Sequence, residues 1–256
     1  MDYNRIIMFC DYGLDDAIAT LHILRHADKF GKIDVVPIGG NVGVQTAYRN
    51  AHTLLAAAGA DKNKVRIVDT RAVKQPSDNI PDVHGTDGIG DVLEHKTSEL
   101  TVIDFAEFCS ELKSEAQPSR DCVLSLGPCT VPNMLGYTPF CTVLMGGTVK
   151  EEPNCGKYEF NEAMDVAAFK SYAKTATAVA TLDTCHDKKF GFDRFVMGDP
   201  IADKLIARYK SMCISRNAPV AVYDYVAALA VTNPELFDAE RIRRADGVEF
   251  NDLKYR

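Results

Sequence analysis

Three carboxylates within six residues, Asp11, Asp15 and Asp16, stand where a short apolar run meets the first amphipathic segment. Residues 6–10 are long enough for a buried strand, and Gly13 supplies the turn after it. Leu14, Ala17, Ile18, Leu21 and Leu24 then recur at helical spacing. Asp15 and Asp16 therefore fall in the first turn of a helix, where the helix dipole favours negative charge. Capping and solvated surface charge explain one such carboxylate easily. Three so close repel one another, and a hard cation with oxygen ligands, Ca²⁺ or Mg²⁺, offsets that repulsion. Both readings stay open on these residues alone.

Other polar turns follow apolar runs along the chain. Gly39-Gly40-Asn41 is one, and Ser125-Leu126-Gly127-Pro128 and Met145-Gly146-Gly147 are two more. Residues 71–91 form a long connection that contains His84 in a glycine-rich stretch. Long connections in compact domains are often functional. A single His there reads equally as an exposed loop residue. Asp224, after Tyr223, reads on its own as the cap of a helix.

The elements that must position these residues alternate. The patterns predict strands at 6–10, 33–38, 65–68, 122–126, 141–145 and 178–182. They predict helices at 15–30, 46–58, 105–112, 164–174, 201–212 and 223–231. Such alternation specifies an α/β fold, an open, mostly parallel sheet with helices on both faces. In such sheets ligands bind at the carboxyl ends of the strands. No repeat, low-complexity tract or linker interrupts the chain, so residues 1–256 read as one domain.

Composition narrows the partners. The 256 residues are 46% hydrophobic and 25% charged, as in a globular protein with a sizeable core. A net charge of −7 disfavours nucleic acid and anionic membranes as partners. No apolar run is long enough to span a membrane. Met1-Asp2-Tyr3-Asn4-Arg5 leads into a strand without the features of a signal peptide. Most of the eight cysteines sit in or beside apolar runs and lack zinc-type spacing. Together these point to a reducing, cytoplasmic compartment.

The first acidic stretch resembles the N-terminal signature of the inosine-uridine nucleoside hydrolase family, Asp-x-Asp-Pro-Gly-x-Asp-Asp-Ala. Asp11, Gly13, Asp15, Asp16 and Ala17 agree with it, whereas Phe9 replaces its first Asp and Tyr12 its Pro. Further motifs follow in family order: Asn41, His84 with Gly85, the loop around Leu126, Met145-Gly146-Gly147, Asn154, Glu159-Phe160-Asn161, and Tyr223-Asp224. The similarity spans residues 5–237. Beyond Phe237 the tail looks short, with the family's closing strands cut down or absent.

The resemblance implies a nucleoside hydrolase with a Rossmann-like core, a small-molecule nucleoside substrate and a homodimeric or homotetrameric assembly. It implies Ca²⁺ held by Asp11, Asp16, Asp224 and the Leu126 carbonyl, with Asp11 activating a metal-bound water. Asp15, Asn41, Met145, Asn154, Glu159 and Asn161 would hold the substrate, through ribose hydroxyls that need both donors and acceptors. His84 and Tyr223 are the candidates for helping the base depart, Tyr223 standing where several branches have a His. His186 reads as a residue that packs or that supports a neighbouring site residue, rather than as a catalyst. Phe9 is expected to weaken cation affinity, and Phe9→Asp to restore it. A competing expectation is a ribose- or nucleoside-binding relative with little catalysis, acting as sensor or subunit. An aspartate-nucleophile phosphatase fits less well, because Phe9 breaks its Asp pair.

Overall fold

The computed structural model describes residues 3–78, 80–115, 120–187 and 197–256. Met1 and Asp2, where the reading of the N-terminus begins, lie outside these. The first strand, β1 (Tyr3–Cys10), is apolar on both faces and buried along nearly its whole length. Its alternate side chains point to opposite faces of the sheet. Met8 and Cys10 join one core cluster, and Ile7 and Phe9 another.

After β1 come α1 (Leu14–Arg25), β2 (Phe30–Pro37), α2 (Val44–Ala57), β3 (Val65–Asp69), α3 (Pro81–His84) and β4 (Thr101–Asp104). The middle of the chain forms α4 (Phe105–Glu115), β5 (Asp121–Ser125), β6 (Cys141–Met145), α5 (Phe160–Met164), α6 (Val166–Ala173), β7 (Ala178–Ala180) and α7 (Leu182–Cys185). It closes with α8 (Pro200–Ser215), α9 (Tyr223–Thr232), β8 (Phe237–Arg243) and β9 (Glu249–Tyr255). The strands form one nine-stranded sheet in the order β4-β3-β2-β1-β5-β6-β7-β9-β8. Every pairing is parallel except that of β8 with β9. The direction of chain progress reverses between β1 and β5, which makes their carboxyl ends the switch point where a crevice opens. Helix α1 packs against α8 and α9 on one face, and α4 covers Ile7, Phe9 and Val36 on the other. No helix among the described residues is long and apolar enough to cross a membrane.

The expected α/β architecture is present, with local differences. Helix α1 ends at Arg25 rather than near residue 30. His26 stops it: its ring Nδ1 donates to the His22 carbonyl at 2.9 Å and its backbone N–H bonds back to Ile23. Phe30 is 1% exposed and belongs to β2 instead. The helix expected at 164–174 is split by Asp165, whose φ of −155° breaks the turn and whose carboxylate caps α6 at the Ala168 N–H. The strand expected at 178–182 ends at Ala180, because Leu182 opens α7. The chain from Phe237 onward forms the β8–β9 hairpin, seven residues in each strand. Strand β8, Phe-Asp-Ala-Glu-Arg-Ile-Arg, is an edge strand with mostly exposed side chains, so no strong apolar alternation marks it.

Candidate active site

The chain leaves β1 at Asp11 and turns through Tyr12 and Gly13 into α1. The turn is held by Asp16, whose Oδ1 accepts from the Asp11 N–H at 3.0 Å and whose Oδ2 accepts from the Gly13 N–H at 2.9 Å. Gly13 is required by proximity: a Cβ there would sit 2.6 Å from Asn41 Nδ2 and 2.7 Å from the His84 ring. Tyr12 has φ +49°, a value that the proline of the family signature cannot adopt. The local turn therefore differs from the signature at this residue.

Asn41, after β2, locks Asp11 from above. Its N–H donates to Asp11 Oδ2 and its Nδ2 to Oδ1, both at 2.9 Å. Gly40 permits this approach, since a Cβ there would overlap Asp11 Oδ2. His84, at the end of α3, accepts the Leu14 N–H through Nδ1 at 3.1 Å. That bond fixes the neutral tautomer with the proton on Nε2. Burial, then the charge of Arg216, pushes the His84 pKa down to about 3, so the imidazole is neutral at pH 7. It can donate a hydrogen bond, but it is not an imidazolium acid.

Asp224 opens α9 beside this turn. Ligand oxygens of Asp15, Asp16 and Asp224 lie within 4.8 Å of one another, and all three residues are buried. Asp15 Oδ1 is buried with no hydrogen-bond partner. Burial, then the charge of Asp11, pushes Asp15 up to about 7. Asp11 rises to about 6 by burial, against the hydrogen bonds that lower it. Burial and the neighbouring carboxylates raise Asp16 and Asp224 well above the ordinary range. A cluster this acidic and dry is chemically suited to a hard cation, which would pair with the charges the fold now holds apart from water.

The opposite wall comes from the carboxyl ends of β5 and β6. Asn161 Nδ2 donates to the Leu126 carbonyl at 3.0 Å and to the Met145 carbonyl at 3.3 Å. Glu159 caps α5 and accepts from the N–H groups of Gly147, Asn161 and Glu162 at 2.9–3.1 Å. Burial pushes Glu159 up to about 7. Asn154 Oδ1 accepts the Phe160 N–H at 2.8 Å, so its NH₂ is the donor end.

A cavity of about 290 Å³ lies between these walls. Asp15, Asn41, His84, Leu126, Met145 and Asn154 line it. Glu159, Asn161, Tyr223 and Asp224 line it as well. Asp11 and Asp16, both 0% exposed, lie beneath its wall rather than in it. Of the expected cation ligands, Asp16 and Asp224 fall in the mutually close group, which Asp15 completes. Asp11 and the Leu126 carbonyl already accept from Asn41 and Asn161. Sequence reasoning missed Tyr209, Cys213 and Arg216, which reach the cavity from α8 and its C-cap. Their i, i+4, i+7 spacing on one helix face was the available signal. His186, expected to pack or to support a site residue, lies with Nε2 3.2 Å from the Tyr223 hydroxyl.

Fold and cavity together define an open α/β protein with an acidic, cation-suited cleft at its switch point. The chain belongs to the inosine-uridine preferring nucleoside hydrolase family, whose sequence profile matches residues 6–249. It is 32% identical over 133 residues to uridine nucleosidase 1 of Arabidopsis thaliana, a match covering 50% of this chain and 38% of that protein. It is 31% identical over 129 residues to a probable uridine nucleosidase 1 of Oryza sativa subsp. japonica, covering 50% of this chain and 39% of the relative. These matches thus span less than half of each curated relative. Among solved structures, a plant nucleoside hydrolase superposes with a TM-score of 0.72 at 21% identity, covering 99% of this chain and 87% of the other. A purine-preferring ribonucleoside hydrolase from Gardnerella vaginalis gives 0.72 at 19% identity, covering 98% and 88%. At such identities the superpositions establish the fold.

Phe9 requires a revision. It is 0% exposed and packs with Ile7, Val36 and Val123 in the core on the α4 side of the sheet. Phe9→Asp would place a carboxylate among apolar side chains and remove the ring's packing. The expected result is a loss of ~3 kcal/mol in stability rather than tighter cation binding. Denaturant unfolding checks this; a variant as stable as the parent with tighter calcium binding would restore the earlier expectation.

Proposed function

We propose that this protein hydrolyses the N-glycosidic bond of ribonucleosides, giving ribose and a free base, and that it depends on Ca²⁺. The observation that carries this reading is the buried carboxylate cluster of Asp15, Asp16 and Asp224 at a cavity whose other wall presents Glu159 and Asn161. The family to which the chain belongs supports it. Asp16 and Asp224 would hold the cation, with Asp11 and the Leu126 carbonyl, whose second lone pairs remain for it. Bound there, it would supply a Lewis acid for water and for the vicinal ribose hydroxyls.

The residues then divide the work. Asp11, oriented by Asn41, would accept the proton of the attacking water. Asp15, with an oxygen that no protein group satisfies, is placed to accept from a ribose hydroxyl. Asn154 offers a donor, and Glu159 and Asn161 hold the far side of the sugar. Water adds to the anomeric carbon as the glycosidic electron pair leaves with the base, through the oxocarbenium-like state common to glycoside hydrolysis. His84 offers Nε2–H and Tyr223 its hydroxyl to the departing base.

A nucleoside-binding protein with little catalysis is the second reading, favoured by the Tyr12 turn that no proline could form. All eight cysteines are free, which supports a cytoplasmic setting, and a homodimer or homotetramer belongs to the same proposal. The test is ribose release from inosine, adenosine, guanosine, uridine and cytidine, with and without a calcium chelator. The expected result is release that the chelator abolishes and added Ca²⁺ restores. Binding of Ca²⁺ and ribose with no release would establish the second reading.

A further inference from the structure

Tyr223 is connected to the protein surface by a chain of hydrogen bonds that the reaction described above does not use. Its hydroxyl lies 3.2 Å from His186 Nε2, and His186 Nδ1 lies 3.2 Å from Glu151 Oε2. The His186 and Tyr223 rings meet edge-on, with centroids 5.7 Å apart. Exposure rises outward along the chain. The His186 side chain is 21% exposed and that of Glu151 48%, and Tyr223 lines the cavity.

The arrangement is built by α7. Asp183, in its first turn, accepts from the N–H groups of Val149 and Lys150 at 2.8 and 2.9 Å. Thr148 Oγ1 donates to the Glu151 carbonyl at 2.7 Å and closes the same loop. Just past α7, at its C-cap, His186 meets Glu151 at the end of that loop. The same short helix therefore places both the imidazole and its carboxylate. Among the described residues, His186 meets Glu151 from the loop and Tyr223 from α9.

The bonding pattern decides what Tyr223 can offer. An ionised Glu151 only accepts, so His186 Nδ1 carries a proton toward it. With a neutral imidazole, Nε2 accepts the Tyr223 O–H, and the phenol shows the cavity only lone pairs. With an imidazolium, Nε2–H donates to the phenol oxygen, and the O–H is released to point into the cavity. The His186 side chain is 21% exposed, so solvent reaches the outer end of this chain of hydrogen bonds.

We propose that Glu151 and His186 are positioning residues that deliver a proton through Tyr223 to the departing base; this rests on the nucleosidase reading above. In one step the Nε2–H bond breaks as a phenol O–H forms. The original phenol O–H breaks as an N–H or O–H forms on the base, which keeps the glycosidic electron pair. Tyr223 is a neutral phenol before and after, His186 ends as a neutral imidazole, and water at the surface reloads it. Tyr223 is then the catalytic contact, and the acid function sits one residue outward from the cavity.

The test compares a nucleoside, whose base needs a proton, with 4-nitrophenyl β-D-riboside, whose phenolate leaves without one. Tyr223→Phe and His186→Ala are each expected to lower kcat on inosine or uridine by ~10²-fold or more, with KM little changed. The loss on the aryl riboside is expected to be at least about tenfold smaller. Glu151→Gln, which still accepts from Nδ1–H, is expected to lose less on the nucleoside than Glu151→Ala. The Tyr223→Phe/His186→Ala pair is expected to be no worse than the poorer single variant, as for residues acting as a unit. Equal losses on both ribosides, or additive losses in the pair, overturn the relay while leaving the nucleosidase reading intact. Unaltered protein that releases ribose from neither riboside overturns that reading, and the relay with it.

Discussion

Asp224→Asn is expected to lower kcat/KM for ribose release by at least ~10³-fold, about 4 kcal/mol, and at the same time to raise the thermal midpoint of the cation-free protein. Both effects follow from one geometry. Asp224 contributes an oxygen to the group within 4.8 Å that Asp15 and Asp16 complete. On the function proposed above, replacing it with an amide would remove a cation ligand, and with it the Lewis acid. The same change relieves repulsion in the cation-free state, because Asp224 is raised by burial and by the charges of Asp15 and Asp11. The sign with pH follows. Asp11 and Asp15 titrate in the folded, cation-free protein near 6 and 7, above the ordinary aspartate value near 4. Between about pH 4 and 7 the folded state therefore binds more protons than the unfolded chain, so stability falls as pH rises through that window. Ca²⁺ is expected to cancel the slope in the parent, and Asp224→Asn to flatten it without Ca²⁺. Thermal melts at pH 5 and pH 7.5, with chelator and with Ca²⁺, read both arms. A variant that keeps activity while melting higher would remove Asp224 from the cation site.

What could be read in advance follows from where each signal resides. Strands β1, β5 and β6 are buried on both faces, so their apolar runs announce them. Asp11 and Leu126 follow β1 and β5, Met145 ends β6, and the parallel topology brings these carboxyl ends together. That much of the cavity was legible because position along a strand implies position at the sheet's rim. Strands β4 and β8 were not legible, since they are edge strands with mostly exposed side chains and little alternation. Phe9 was misjudged for another reason. Its place in a motif suggested a neighbour of the cation, whereas strand periodicity sends it into the core beneath α4. The bond from His186 to Tyr223 joins residues 37 apart in the chain, and no spacing rule predicts it.

The hairpin hidden by its own polarity also steadies the site. Arg244, just after β8, donates Nη1 to Glu162 Oε2 at 2.7 Å and Nη2 to Glu162 Oε1, and it bonds Asp246 as well. The Glu162 side chain is 0% exposed and that of Arg244 10%. Glu162 lies on α5 between the residues that carry the far wall of the cavity, Glu159 and Asn161, and the rest of the helix. Arg244→Met keeps much of the stem's packing and removes the charge. It is expected to cost ~3–5 kcal/mol, because a buried carboxylate loses its partner. Adding Glu162→Leu should recover most of that loss, since an apolar pair of similar volume has no charge to desolvate. Denaturant midpoints for the two single variants and the pair separate these terms. If Arg244→Met melts within about 1 kcal/mol of the parent, the ion pair is a surface contact in energetic terms and the hairpin is not what holds α5. The expected recovery in the pair has a further consequence for the site. If α5 needs only a tether, ribose affinity returns along with stability. If Asn161 needs the orientation that the ion pair imposes on α5, stability returns while the ribose dissociation constant stays raised.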